Sequence, residues 1–140
     1  MGTISRAVRL QLPATHRYLN VLGACINALV EHAEDLDDAE QQSYNIQLGT
    51  NEVFANIVDH AYAERDGDVA VTLALLDTPQ RMQIDLHDTG VAFDPASAPE
   101  PDLDEIQVRG YGLFLVRSLF DEVDYAARAD GNYWRLIKLL

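Results

Sequence analysis

Gln47–Tyr62 reads QLGTNEVFANIVDHAY, and its periodicity decides how the chain folds. Ile46, Val53, Ile57 and Ala61, flanked by Phe54 and Val58, recur at helical spacing, which predicts an amphipathic helix with its apolar stripe against a sheet. Beside that stripe stand Glu52, Asn56, Asp59 and His60. Glu52 and Asn56 are one helical turn apart and share a ridge. A carboxylate and a neutral amide make a poor salt bridge. They suit a hard cation together with a proton transfer: the amide oxygen can ligate Mg²⁺ without adding charge, and the carboxylate can accept a proton or orient a water. The same pair also fits a solvated helix face, so its meaning depends on the rest of the chain.

The totals narrow the field. A chain of 140 residues with 48% hydrophobic content is long and apolar enough for one domain with a real core, here taken as 1–140. No apolar run reaches the length of a membrane helix, and Arg6 and Arg9 precede no signal-peptide core, so the expectation is a soluble cytoplasmic protein. The single cysteine, Cys25, has no internal disulfide partner and reads as a small core residue. A net charge of −13 argues against nucleic acid or an anionic membrane as the main partner. It is compatible with a basic protein partner, or with a cation carried in by a nucleotide.

Around the central helix the chain reads in order. Val8–Leu12 alternates and runs into Pro13, which predicts a short edge strand. Thr15 can cap a helix running to about Ala33, with His16 and His32 as surface residues near its ends. Glu34–Glu40 is a loop and helix start, with Asp37 or Asp38 as cap of the long helix, which ends near Tyr62 or Ala63. Two strands follow, Val69–Leu76 and Arg81–His87, joined by the turn Thr78-Pro79-Gln80. Residues Pro95–Gln107 carry Pro95, Pro99 and Pro101 and no periodicity, the mark of a long functional or disordered loop. Gly110-Tyr111-Gly112 then opens a helix over Leu113–Phe120. The hairpin strands Val123–Ala129 and Tyr133–Leu140 close the chain around the turn Asp130-Gly131-Asn132. This order predicts an α+β fold, a two-layer sandwich whose mixed, mostly antiparallel sheet is covered by helices on one face. A Rossmann unit is excluded, because the Gly-rich turn follows a long loop rather than a strand.

Three elements then suit one ligand, ATP. Asp88, at a strand end, can accept the exocyclic amino group of adenine, and Gly90 lets the backbone approach the base. Gly110 and Gly112 let N–H groups point at phosphates near a helix start. Asn56 can hold Mg²⁺ on those phosphates, with Glu52 near the terminal phosphate to take a proton from the attacking group. The loop between Asp88 and Gly110 would be a lid.

These motifs carry a family resemblance. NEVFANIVDHAY, DTGVAFDP and RGYGLFLVRSLFDEVDY resemble the Bergerat ATP-binding fold shared by gyrase, the Hsp90 chaperones, histidine kinases and mismatch-repair ATPases. Within it they are most similar to the small anti-sigma factor serine-protein kinases of bacteria. The resemblance implies Glu52 as the catalytic carboxylate, Asn56 as the magnesium ligand, and Asp88 with Gly90 as the adenine site. It implies Gly110 and Gly112 as the phosphate-side glycines, with Tyr111 and Leu113 in the same binding segment, and aligns Arg109 with an arginine that in some relatives touches the terminal phosphate. It further implies ATP or ADP with Mg²⁺ as cofactors. The implied partners are an anti-sigma factor antagonist of the STAS type, phosphorylated on serine, and a sigma factor that competes for the kinase. Homodimers are common among such relatives, and the edge strand Val8–Leu12 could pair with a second copy.

Two positions depart from the family pattern. Ala92 stands where a second glycine is usual, and Tyr133-Trp134-Arg135-Leu136 lacks the threonine that often backs the adenine aspartate, leaving water or Thr89 to assist. The alternative is a nucleotide-dependent regulatory binding module that sequesters a partner without catalysis. A histidine-kinase catalytic domain and a pure ATPase are disfavoured, because neither a phosphoacceptor hairpin nor a further driving domain is visible in the sequence.

Overall fold

The computed structural model describes residues 4–63, 65–92 and 108–140. The proline-rich loop expected to act as a lid lies outside the described residues. Five strands form one sheet: β1 (Ile4–Pro13), β2 (Asp68–Leu76), β3 (Arg81–Asp88), β4 (Glu122–Arg128) and β5 (Gly131–Leu139). Their order is β1-β2-β3-β5-β4, so β1 is an edge strand as its proline suggested. Every pairing is antiparallel, so the sheet is not mixed. The reason is connectivity: β2–β3 and β4–β5 are tight hairpins, and such links join only antiparallel neighbours.

The sheet has one dry face. Met82, Ile84 and Leu86 of β3 alternate inward, and their cross-strand neighbours Lys138, Leu136 and Trp134 bring the buried Leu136 and Trp134 onto the same face. The opposite face carries a row across all five strands, Arg9, Thr72, Asp85, Arg135 and Asp124. In it Arg135 Nε donates to Asp85 Oδ1 at 2.8 Å, which holds the guanidinium above its usual range.

Three helices cover the dry face: α1 (Leu19–Val30), α2 (Ala39–Asn56) and α3 (Val108–Leu119). Thr15 caps only a short 3₁₀ turn, His16–Tyr18, through Arg17 N–H, and α1 begins after it. Asp38 precedes α2 in the left-handed region, with φ of 53°, and its side chain makes no capping bond. α2 packs between the other two helices, and its fully buried Ile46, Val53 and Phe54 anchor it in the core. Gly49 lies under the Phe120 ring, where a Cβ would collide, so α2 and the end of α3 approach closely.

Past Asn56 the helix widens into a π-type turn, Ile57–Ala61, closed by Tyr62 N–H to Ile57 O at 3.1 Å. Side-chain periodicity placed this segment on the same helix. Ile57 and Ala61 do stay buried, but the turn frees the Ala61 carbonyl to accept Val91 N–H at 2.7 Å.

Candidate functional site

Asp88 is the inward residue that continues the row Met82-Ile84-Leu86, so strand alternation itself drives a carboxylate into the dry layer. It is 2% exposed. Its Oδ1 accepts Gly90 N–H at 2.9 Å and Asn132 Nδ2–H at 2.8 Å. Its Oδ2 is buried and has no hydrogen-bond partner. A buried, unpartnered carboxylate oxygen is costly, and native structures keep such an atom where a ligand supplies the missing donor.

Asp88 borders a recess of about 220 Å³ lined by Asn56, Ile57, Ala61, Asp88, Val91, Tyr125, Asn132 and Trp134. Apolar walls with few polar groups suit a flat heterocycle. Gly90 forms part of the rim, and a Cβ there would strike the Ala61 carbonyl. Only glycine lets the strand end come this close to the π-type turn. Tyr62 braces the arrangement from behind, donating its hydroxyl to Asp68 O at 2.6 Å and accepting Thr89 N–H at 3.0 Å.

The helix pair expected from the sequence is also in place. Glu52 and Asn56 are both half-buried on α2, and Asn56 reaches the recess that Asp88 borders. They meet α3 at Gly112: a Cβ on that glycine would lie 2.9 Å from Glu52 Oε2 and 3.8 Å from Asn56 Nδ2. The glycine therefore leaves the space that the Glu52 carboxylate fills. One expectation shifts here. α3 begins at Val108, so Gly110 and Gly112 lie within its first turns rather than ahead of it. The free N–H groups of a helix belong to its first four residues, which here are residues 108–111. The side chains of Arg109 and Tyr111 lie outside the described residues. Leu113 is 6% exposed in the core cluster, so its side chain belongs to the packing. Ala92 is exposed just beyond the recess.

The Glu52 and Asn56 donor set fits Mg²⁺, which is held by one or two protein oxygens and completed by phosphate and water. Among the described residues no cluster of three or more His, Cys, Asp or Glu forms an all-protein metal cage. Asp59 and His60 stand apart. Both are exposed, and Asp59 pairs with His16 Nε2 at 2.8 Å.

The residue that sequence reading missed is Asn132. It was placed in a turn, whereas it is a 3% exposed strand residue directly opposite Asp88 in the β3–β5 register. It occupies the position where a backing threonine was sought. Thr89 plays no such part: it is exposed and turns to Tyr62.

The model of the family described as the histidine kinase-like ATPase domain matches residues 12–138. The chain belongs to that family. Among similar proteins, the serine-protein kinase RsbW of Listeria monocytogenes serovar 1/2a (strain ATCC BAA-679 / EGD-e) is 24% identical over 132 residues, covering 88% of this chain and 81% of that protein. RsbW of Bacillus thuringiensis (strain Al Hakam) is 25% identical over 125 residues, covering 83% and 74%. In three dimensions this histidine kinase-like ATPase domain is similar to the crystal structure of the RsbU and RsbW domains of Rv1364c from Mycobacterium tuberculosis, with TM-score 0.68 and 20% identity. It is also similar to the histidine kinase domain of the Erythrobacter litoralis EL346 blue-light activated histidine kinase, with TM-score 0.57 and 19% identity. The matches cover 97% and 89% of this chain but 32% and 60% of those chains, so they speak to the shared fold. No helix among the described residues is long and apolar enough to cross a membrane.

Proposed function

We propose that this domain is an ATP-dependent serine-protein kinase that phosphorylates a STAS-type anti-sigma factor antagonist and also binds a sigma factor. The observation that carries the nucleotide half is the buried Oδ2 of Asp88, a lone acceptor on a recess shared with Asn56. The amino group of adenine supplies the donor that this oxygen lacks. Similarity to proteins named serine-protein kinase RsbW supports the kinase half.

In this reading the base enters the recess between Val91 and Trp134 and the phosphates extend along α2 toward Gly112. Asn56 Oδ1 is the protein oxygen available to Mg²⁺, which when bound neutralises charge building on the phosphates. Glu52 takes the proton from the serine hydroxyl as the serine oxygen bonds to the γ-phosphorus. The bond from that phosphorus to the bridging oxygen breaks, and ADP leaves. The role of Asp88 is to hold the base, and so to fix the phosphates, without joining the chemistry.

The test is transfer of labelled phosphate from Mg-ATP to purified STAS-type proteins of the same organism, followed by mass spectrometry for phosphoserine. Glu52→Ala should lower the transfer rate about 10²–10⁴-fold while nucleotide affinity changes little. Full transfer by that variant overturns the role of Glu52. Tight ATP binding with no phosphoserine on any such protein overturns the kinase and favours a regulatory binding module.

A further inference from the structure

β5 meets the end of β3 with one polar side chain, and that side chain has no freedom. Asn132 Nδ2 has three acceptors around it: Asp88 Oδ1 at 2.8 Å, Gly90 O at 3.1 Å and Val91 O at 3.3 Å. Its Oδ1 accepts the Tyr125 hydroxyl at 2.9 Å. A flipped amide would turn its oxygen toward three acceptors, so only one orientation satisfies the site. The neighbouring donors are also engaged. Gly90 N–H goes to Asp88 Oδ1, Thr89 N–H to the Tyr62 hydroxyl, and Val91 N–H to Ala61 O. What remains at this strand end is an acceptor, Asp88 Oδ2, with every surrounding donor committed elsewhere.

We infer that Tyr125 and Asn132 are positioning residues that keep this end of the recess acceptor-only, so that it takes a base presenting an amino group and rejects one presenting an oxo group. This rests on the nucleotide reading above and sharpens it to substrate selection. An oxo group beside Asp88 Oδ2 would face a carboxylate oxygen with no donor able to turn toward it, because the Tyr125 hydroxyl holds the Asn132 amide in place. Buried polar sites discriminate most strongly when the wrong ligand leaves such groups unpaired. Adenine and hypoxanthine differ at this edge alone: the 6-amino group becomes a 6-oxo group, and N1 gains a hydrogen.

The experiment measures dissociation constants of ADP and inosine diphosphate by calorimetry, with Mg²⁺ at one pH, for the whole chain and for Tyr125→Phe and Asn132→Ala. The unaltered chain should prefer ADP by at least about 50-fold. Tyr125→Phe keeps the ring against Trp134, at 4.7 Å between centroids, while removing the hydroxyl that anchors the amide. Its preference should fall about fivefold. Asn132→Ala admits water, which can donate to an oxo group, and should bring the preference below about fivefold. Damage to packing lowers both affinities together and leaves their ratio unchanged, so the ratio separates positioning from structure. A variant ratio equal to that of the unaltered chain overturns the proposal, and Tyr125→Phe alone decides it if Asn132→Ala fails to fold. Absence of ADP binding by the unaltered chain overturns the nucleotide reading and this proposal with it. ADP binding with unchanged ratios overturns this proposal only.

Discussion

At Gly112 the lack of a side chain is what gives the Glu52 carboxylate its place beside α3, and at Asp130 a single neighbouring hydroxyl governs a titration. The two cases show how local the controlling contacts are. Tyr133 donates its hydroxyl to Asp130 Oδ2 at 2.5 Å, and this bond holds the Asp130 carboxyl below the ordinary aspartate range, with smaller help from His87 and Arg128. The same bond pushes the Tyr133 hydroxyl up. Because the folded-state value of Asp130 is depressed, its contribution to stability is present above the unfolded value and lost as pH falls through the folded one. Tyr133→Phe should therefore move the Asp130 titration to higher pH, back toward the ordinary range, as followed by carbonyl NMR. An unmoved Asp130 would assign the depression to His87 and Arg128 instead.

At the scale of elements, the junction between the π-type turn and the end of β3 is the part that makes the recess. Tyr62, 5% exposed, joins it to the start of β2 through hydrogen bonds to Asp68 and Thr89. Tyr62→Phe leaves the buried Thr89 N–H and Asp68 carbonyl short of a partner and should cost about 1–3 kcal/mol in chemical denaturation. The same variant should weaken ADP binding, because Thr89 and Gly90 flank the recess. Unchanged stability would mean that water replaces the hydroxyl at no cost. The sequence carried much of this site. The alternation of β3 ends on Asp88, and the ridge of α2 pairs Glu52 with Asn56, so two periodicities placed three site residues. Asn132 stayed hidden because Asp130-Gly131-Asn132 has turn composition, and only the register with β3 shows that the strand starts at Gly131. The π-type turn stayed hidden because one extra residue barely disturbs a helical stripe. The start of α3 was misplaced because Gly110 and Gly112 look like loop residues, whereas the apolar row of Leu113, Val116 and Phe120 secures the helix that contains them.

At the scale of the molecule, the candidate site straddles the two layers: Asp88 and Asn132 belong to the sheet, and Glu52, Asn56 and Gly112 to the helices. A ligand gripped by both layers binds the folded chain and not the unfolded one. At a hundred times its dissociation constant, Mg-ADP should stabilise the fold by about 2.7 kcal/mol and raise Tm by roughly 5–10 °C in a thermal melt. Asp88→Asn should abolish most of that rise, and an equal rise in the variant would remove Asp88 from the base site. Asp88 Oδ2 also has a consequence for the chain without ligand. Unfolded, that oxygen is hydrated; folded and empty, it has given up its water for nothing. The resting fold is thus less stable than the same sheet with an apolar residue at the end of the Met82-Ile84-Leu86 row. Selection for thermal robustness alone would erase Asp88, and its retention marks a compromise in which stability is held below its maximum to keep the molecule competent for its ligand.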